Sequence, residues 1–213
     1  MIKTDGIIFD MDGTIWDTCK EVTDSWNIIA KKYRDDIHFT VPLIKSCMGL
    51  LMEDFAAKAM PQVEDAQLRL KILKECVVFE NGYIEENGAM LYPTVIETIR
   101  SLSGKCPLFI VSNCQAGYIE TFFKAFDTEK YFKDYENPGR SGLAKAENIK
   151  LICQRNGIKY PVYVGDTQGD ADACKMAGVP FIFAAYGFGD ADPKDCAEKI
   201  ECFEDLEKVV SFE

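Results

Sequence analysis

The sequence predicts an α/β fold in which helices cover both faces of a parallel sheet and a helical segment is inserted after the first strand. Short, unbroken apolar runs end abruptly in polar clusters, which is typical of strands buried on both faces of a parallel sheet. In the second half of the chain, amphipathic helical patterns alternate with these runs. A long segment of purely helical periodicity separates the first run from the next.

The first strand leads directly into two acids. The apolar run Ile7-Ile8-Phe9 is followed by Asp10 and Asp12, whose side chains project to the same side if the extended conformation continues. Gly13 permits a sharp turn, and Thr14 adds a hydroxyl and a backbone N–H. Ligands of open α/β sheets bind at the carboxyl ends of the strands, where this pair would lie. A polar turn is the structural alternative, because Asp and Gly are common turn residues.

The helical segment runs from residue 17 to about residue 87. Apolar residues recur there at three- and four-residue steps, first as Val22, Trp26, Ile29 and Tyr33 and later as Ala66, Leu70, Leu73 and Val77. We therefore predict a Rossmann-like core of residues 1–15 and 90–213 and a helical cap domain of residues 16–89. Residues 47–52 are interpreted as core packing, with an apolar loop over a ligand as the alternative.

Helices and strands alternate in the second half of the chain. Pro93 is placed at the opening of a helix, where its missing N–H does no harm. Strands are predicted at 108–111, 162–164 and 181–184, with a weaker one at 132–136. Asn156-Gly157 and Gly178 are typical helix C-terminal signals. The order of elements predicts βαβ units and a sheet wound on both sides.

Polar groups follow two of the later strands. Ser112-Asn113 comes directly after the strand at 108–111 and offers groups that bind phosphoryl oxygens, although Ser and Asn are also favoured helix N-caps. Asp166 and Asp170 follow the strand at 162–164. Asp170 could instead cap the next helix, whereas Asp166 has no such local explanation.

A lysine lies at the start of a predicted helix. A cation at this position, Lys145, is unfavourable to the helix dipole, so an anion nearby would explain it. Lys150 is the alternative active-site lysine, and a solvated surface charge is the structural interpretation of either side chain.

In chain order, these clusters resemble the four motifs of the haloacid dehalogenase-like superfamily. The segment from Asp10 to Thr14 resembles the first motif, and its continuation through Asp17 and Thr18 looks like the phosphatase branch. The residues that resemble the second, third and fourth motifs are Ser112, Lys145 and the pair Asp166 and Asp170. Many relatives have Pro after the lysine, where this chain has Ala146. The resemblance is to phosphoglycolate phosphatase-like members with a helical cap.

This resemblance implies a Mg²⁺-dependent phosphatase. Asp10 would be the nucleophile that forms an aspartyl-phosphate, and Asp12 would protonate the leaving group and later activate water. Asp10 and Asp166 would bind Mg²⁺ through their side chains, Asp12 through its carbonyl, and Asp170 through a water or Lys145. Four carboxylates beside one lysine also require a cation on charge alone. The groups expected to bind the phosphoryl oxygens are Thr14, Ser112, Asn113 and Lys145.

Composition disfavours two classes of macromolecular partner, and the resemblance together with the cap implies a small phosphorylated metabolite. The formal net charge of −11 disfavours nucleic acid and anionic membranes, because clusters of Lys and Arg drive both associations. The nine cysteines include no Cys-x-x-Cys pair, and neither a signal peptide nor a membrane-spanning segment is predicted. We therefore expect a cytoplasmic protein with reduced thiols. The lone His38 is expected to be structural or exposed.

Three alternatives to a phosphatase remain at this stage. A phosphomutase of the β-phosphoglucomutase type shares the core motifs, and a binding module could keep the fold without catalysis. Phosphonoacetaldehyde hydrolysis would need a cap lysine, for which Lys45 is the nearest candidate, but Asp12 argues against it. Among phosphatase substrates, phosphoglycolate or a short sugar phosphate is expected ahead of phosphoproteins and nucleic acids, because a cap favours enclosed ligands.

Overall fold

The computed structural model describes residues 1–212. Its strands are β1 (Ile2–Thr4), β2 (Gly6–Phe9), β3 (Trp16–Asp17), β4 (Met90–Leu91), β5 (Leu108–Val111), β6 (Phe132–Glu136), β7 (Pro161–Gly165), β8 (Phe181–Ala184), β9 (Glu198–Ile200) and β10 (Val210–Phe212). Its α-helices are α1 (Cys19–Ala30), α2 (Val41–Lys45), α3 (Met52–Ala59), α4 (Ala66–Asn87), α5 (Val95–Ser103), α6 (Tyr118–Phe126), α7 (Pro138–Ser141), α8 (Lys145–Asn156), α9 (Gln168–Ala177) and α10 (Leu206–Val209). Short 3₁₀ turns lie at Glu129–Tyr131, Pro193–Asp195 and Phe203–Asp205.

The core is a six-stranded parallel sheet in the order β6-β5-β2-β7-β8-β9. Every residue of β2 is buried, because β2 is central and both of its faces are covered. Ile7 and Phe9 pack on one face with helices α5 and α6, while Ile8 packs on the other with α8 and α9. This alternation follows from the two-residue period of a strand. The predicted α/β class and the doubly wound parallel sheet are confirmed.

Helices α1 to α4 form the predicted insertion and have a hydrophobic core of their own. Trp26, Phe39 and Phe55 lie at its centre, and the ring centroids of Trp26 are 5.4 Å from Phe39 and 5.0 Å from Phe55. The chain enters through β3 and returns through β4, which pair antiparallel. The helical insert is therefore confirmed, and we call it the cap. Its boundaries at 15/16 and 89/90 remain predictions.

One local prediction is wrong, and some short strands were not predicted. Pro93 does not open a helix, because Thr94 has a left-handed φ of 62° and α5 begins only at Val95. The sequence also missed β1 and β10, which pair with each other in a separate parallel sheet, and the edge strand β9. These strands have only three residues each, which is too short for a period-two pattern to be read.

None of the helices within residues 1–212 is long and apolar enough to cross a membrane.

Candidate active site

Three buried carboxylates meet at the carboxyl edge of the central strands. Asp10 follows β2, and its backbone N–H donates to Val164 O at 2.8 Å, so the pairing of β2 with β7 continues to this residue. Asp166 follows β7, and Asp170 lies in the first turn of α9. One carboxylate oxygen from each of Asp10, Asp166 and Asp170 lies within 4.8 Å of the others. Parallel strands thus bring together acids from opposite ends of the sequence.

Lys145 links two of these acids. Its Nζ lies 3.0 Å from Asp10 Oδ1 and 2.6 Å from Asp170 Oδ1, and the side chain is only 6% exposed. Burial alone would lower the pKa of Lys145, but the charges of Asp10 and Asp170 outweigh it, and the pKa is raised above its usual value. The two acids account for a cation at the first residue of α8. The alternative candidate, Lys150, is exposed.

Asp170 both caps a helix and belongs to the carboxylate cluster. Its Oδ2 accepts hydrogen bonds from the backbone N–H of Thr167 at 3.1 Å and from the Thr167 hydroxyl at 2.8 Å, which completes a capping box. Its Oδ1 faces Lys145 and also accepts a hydrogen bond from the Tyr163 hydroxyl at 3.3 Å. The two interpretations of Asp170 are therefore compatible, since each uses a different oxygen.

Asp166 has one oxygen held by the backbone and one without a partner. Oδ2 accepts from the N–H groups of Phe188 and Gly189 at 2.8 and 3.1 Å. Oδ1 is buried and has no hydrogen-bond partner. Burial, followed by the charges of Asp170 and Asp10, raises the pKa of Asp166 to about 8. An unpartnered buried oxygen is costly, so the site is electrostatically incomplete without a cation.

Two glycines allow the chain to approach Asp166 closely. A Cβ on Gly13, which has a left-handed φ of 84°, would lie 2.1 Å from Asp166 Oδ2. A Cβ on Gly187 would lie 2.6 Å from the same atom. Any side chain at either position would therefore displace Asp166.

The residues present fit a divalent cation. Burial is the largest cause that raises the pKa of Asp10, and the neighbouring Asp170 raises it further, while Lys145 acts in the opposite direction. A bound cation would offset this repulsion and supply a partner for Asp166 Oδ1. A donor set made only of oxygens suits Mg²⁺.

Asp12 lies beside the cluster in a hydrogen-bond network. Its Oδ1 accepts from the hydroxyls of Tyr118 at 2.7 Å and Thr18 at 2.8 Å. Burial raises the pKa of Asp12 to about 7, although the bond from Tyr118 acts to lower it. Sequence reasoning missed both partners in this role. Tyr118 is 106 residues away from Asp12, and it is buried at the start of α6.

Of the other residues predicted to bind phosphoryl oxygens, Ser112 and Asn113 line the cleft and Thr14 does not. Ser112 and Asn113 are not helix caps, since α6 begins only at Tyr118, and both line the cleft above Asp10. Asn113 Nδ2 donates to Gly49 O of the cap at 3.1 Å. Thr14 is not among the described residues that line the cleft. Its N–H donates to Met11 O at 3.1 Å and its hydroxyl is buried without a partner.

A cleft of about 470 Å³, including its open mouth, lies between the core and the cap. Its core side carries Asp10, Asp12, Ser112, Asn113, Cys114, Gln115 and Tyr118. Its cap side carries Val22, Trp26, Met48, Gly49, Leu50, Met52, Phe55 and Glu80. In the segment at 47–52, Cys47 is buried in the cap core, as core packing predicts, while Met48 and Leu50 line the cleft. That the segment covers a ligand stays a prediction.

Glu80 is an ionisable side chain on the cap wall of the cleft. Its Oε2 accepts from Trp26 Nε1 at 2.5 Å, and its Oε1 accepts from Gln115 Nε2 of the core at 3.1 Å. Burial raises the pKa of Glu80 to about 8. Sequence reasoning missed it, although one signal was present. Glu80 lies three residues after Val77, at the next step of the apolar stripe of α4, where a polar side chain is out of place.

The sequence model of the haloacid dehalogenase-like hydrolases matches residues 7–184. The chain belongs to this family. Phosphoglycolate phosphatase from Shigella dysenteriae serotype 1 is 25% identical over 220 residues, which cover 91% of this chain and 86% of that protein. Phosphoglycolate phosphatase from Escherichia coli K12 is 28% identical over 150 residues, or 65% of this chain and 58% of that one.

The fold comparison agrees with this family. A structure described as a predicted phosphoglycolate phosphatase from Haemophilus somnus has a TM-score of 0.83 and 23% identity, covering 96% of this chain and 97% of that chain. The family model and the curated relatives confirm the predicted resemblance to phosphoglycolate phosphatase-like members of the family. The prediction of a hydrolase of the phosphatase type is also confirmed, and the chain is distantly related to the phosphoglycolate phosphatases.

Proposed function

We propose that the protein is a Mg²⁺-dependent phosphatase that hydrolyses a small phosphomonoester through an aspartyl-phosphate on Asp10. The observation that carries the proposal is the buried Asp10–Lys145–Asp170 arrangement beside Asp166, whose Oδ1 has no partner. It combines a carboxylate nucleophile with the cationic environment that phosphoryl transfer requires.

The first chemical step uses Asp10 and Asp12. A carboxylate oxygen of Asp10 attacks phosphorus in line, forming an O–P bond as the ester O–P bond breaks. Asp12, with its pKa raised to about 7, donates its proton to the departing alkoxide. Tyr118 and Thr18 hold Asp12 through Oδ1 and fix the direction of its carboxyl group.

The second step releases phosphate. Asp12, now ionised, accepts a proton from a water that attacks the phosphorus of the aspartyl-phosphate, and the carboxylate of Asp10 is restored. Lys145 stays between Asp10 and Asp170 and stabilises negative charge on Asp10 and on the phosphoryl oxygens. Ser112 and Asn113 line the cleft where these oxygens would lie.

Asp10, Asp166 and Asp170 are the residues that would hold Mg²⁺, with the carbonyl of Asp12 as a further ligand. The ion would neutralise charge on the phosphoryl group as it is transferred. Asp166 Oδ2 is already held by two backbone N–H groups, so Oδ1 is the oxygen left to bind a metal.

The size of the cleft supports a small substrate. The apolar wall of the cap covers Asp10, and Asn113 bonds directly to the cap backbone at Gly49. Relatives named phosphoglycolate phosphatase also support a small phosphorylated metabolite. A polymer or a folded phosphoprotein would have to displace the cap to reach Asp10.

The proposal is tested by metal-dependent release of phosphate from a panel of phosphomonoesters. EDTA should stop the reaction, Mg²⁺ should restore it, and Ca²⁺ should inhibit, because Ca²⁺ accepts a looser coordination that removes Asp10 from its in-line position. Full activity after exhaustive chelation, or with Ca²⁺ alone, contradicts the site. A clear preference for a phosphopeptide over hexose phosphates and phosphoglycolate contradicts the enclosed cleft.

A further inference from the structure

The two backbone donors that orient Asp166 belong to a segment rich in glycine. The N–H groups of Phe188 and Gly189 donate to Asp166 Oδ2 at 2.8 and 3.1 Å. Gly187 and Gly189 flank Phe188, and neither position has room for a side chain. A Cβ on Gly187 would lie 2.6 Å from Asp166 Oδ2, and one on Gly189 would lie 2.5 Å from Asp166 O. Within residues 187–189, the ring of Phe188 is therefore the one side chain that can anchor these donors.

The ring of Phe188 packs on the cap. It lies against the hydrophobic core formed by helices α1 to α4, whereas the two preceding residues, Ala185 and Tyr186, pack on the clusters that cover the sheet. On the cap side, Lys45 Nζ lies 5.0 Å from the centre of the Phe188 ring, within the range of a cation–π interaction. The donors to Asp166 are thus connected to the cap through a single side chain.

A second contact joins the cap to the same part of the core. A Cβ on Gly49 would lie 3.6 Å from Thr167 Cγ2, which is an ordinary van der Waals distance, so this cap loop lies against Thr167. The carbonyl of Gly49 also accepts the hydrogen bond from Asn113 at 3.1 Å. The cap therefore touches both the segment that donates to Asp166 and the residue that follows Asp166 in the chain.

We propose that Phe188 is a positioning residue that couples the seating of the cap on the core to the orientation of Asp166, so that a seated cap strengthens the binding of a divalent cation. A carboxyl group is planar, so holding Oδ2 by two N–H groups also fixes the direction of Oδ1, the oxygen left to bind a metal. Coupling of this kind is reciprocal, and a bound cation should in turn stabilise the seated cap. This inference rests on the proposed function.

The variant Phe188→Ala tests the coupling, because it removes the ring and keeps the backbone N–H that donates to Asp166. Isothermal titration calorimetry with Mg²⁺ alone, without substrate, gives the Kd of the ion, which should rise at least ~5-fold. The Mg²⁺ concentration for half-maximal turnover should rise by a similar factor on alkyl phosphates and on p-nitrophenyl phosphate. A merely structural role would lower the thermal stability and leave the affinity for Mg²⁺ unchanged.

Phe79→Ala is the matched control. Phe79 is also a partly exposed phenylalanine with a lysine beside its ring, since Lys32 Nζ lies 5.9 Å from the ring centre, but it belongs to α4 and does not line the cleft. The same truncation at this position should leave the affinity for Mg²⁺ at the wild-type value. Thermal denaturation checks that both variants are folded.

The variant Lys45→Met tests whether the coupling passes through the ring. Methionine keeps much of the length of the lysine stem but removes the charge that lies over Phe188. In the wild-type background the Kd of Mg²⁺ should rise about 2-fold, since a cation–π contact at an exposed site is weak. In the Phe188→Ala background the same change should have no effect, because the ring through which it acts is gone.

The outcomes separate the inference from the proposed function. An unchanged Kd of Mg²⁺ in folded Phe188→Ala, or an equal change in Phe79→Ala, overturns the inference and leaves the phosphatase intact. If Phe188→Ala does not fold, Lys45→Met decides the matter, because this side chain is exposed and an unchanged Kd then overturns the inference. Calorimetry needs no turnover, so a failure to release phosphate from any ester refutes the proposed function separately. A wild type that binds no Mg²⁺ overturns both.

Discussion

The two walls of the cleft are built on different physical principles. The core wall carries Asp10 and Asp12, and Lys145, Asp166 and Asp170 lie next to Asp10 at the ends of the central strands, outside the lining of the cleft. The cap wall is apolar, and its single carboxyl, Glu80, is held by two neutral N–H donors. Charge is therefore concentrated where a phosphoryl group would react and is almost absent where the rest of the substrate would bind.

This difference assigns separate tasks to the two walls. A group of buried carboxylates is unfavourable alone and becomes favourable only with cations, so the core is suited to a metal and a phosphoryl group. An apolar wall with one acceptor site discriminates by shape and by hydrogen bonds. Changes at the nucleophile and the metal-binding acids should therefore affect every substrate alike. Changes at the general acid should follow the leaving group's need for a proton, and changes in the cap should follow the shape and hydrogen bonds of the substrate.

The largest effect should come from Asp10→Asn. The amide resembles the carboxylate in shape but cannot act as the nucleophile, so turnover should fall by at least ~10³-fold on every ester. Initial rates on several esters measure this, and thermal denaturation checks the fold. Activity near wild type on any substrate would exclude Asp10 as the nucleophile.

A smaller loss, and one that depends on the leaving group, is expected for Asp12→Asn. Turnover of alkyl phosphates should fall ~10²- to 10³-fold, because their alkoxides need a proton. The loss on p-nitrophenyl phosphate should be at least ~10-fold smaller, since its leaving group needs little protonation. Equal losses on both substrates would contradict the proposed role of Asp12 as general acid.

The cap can be examined through the pH dependence of stability. The pKa of Glu80 is raised from 4.5 to about 8 in the folded protein, so between these values the native state keeps a proton that the unfolded chain has released. Stability from Glu80 therefore falls as the pH rises through this window. The free energy of unfolding of wild type relative to Glu80→Gln should decrease by about 2 to 4 kcal/mol between pH 5 and pH 8.5.

Denaturant titrations at several pH values measure this difference, with Glu86→Gln, the same change at an exposed position of α4, as the matched control. A difference between wild type and Glu80→Gln that does not change with pH would show that Glu80 titrates normally.

The smallest effect should come from Tyr118→Phe. This change removes one of the two hydroxyl donors to Asp12 while keeping the ring that packs 5.2 Å from Trp16. We expect kcat on alkyl phosphates to fall ~5- to 10-fold, with less change on p-nitrophenyl phosphate, because Tyr118 acts by positioning Asp12. Equal effects on the two substrates would indicate a merely structural role.

The core wall was largely predictable from the sequence, and the cap wall was not. Asp10 and Asp166 each follow a short apolar run, and parallel strands bring such ends together, so local patterns were enough to expect them near each other. A different local signal pointed to Lys145, because a cation at the start of a helix is unfavourable to the helix dipole and indicates an anion nearby. Each signal lies within a few residues of the group that it identifies.

The residues that escaped prediction act through distant contacts. Tyr118 reaches Asp12 across 106 residues, and Gln115 reaches Glu80 across 35. A tyrosine on a buried helix face is equally typical of ordinary packing, so its type carries no signal. Backbone donors such as Phe188 N–H are invisible in a sequence, because every residue except proline has one.

The paired crossings between core and cap have a consequence for motion. The outgoing segment Trp16–Asp17 and the returning segment Met90–Leu91 form one antiparallel ribbon of two residues on each side. Because the two crossings are paired, any rotation of the cap relative to the core would have to bend both segments together. Such a rotation would also break the bonds that join the cap to the core, from Asn113 to Gly49 and from Gln115 to Glu80. Substrate entry and product release would then depend on the same motion.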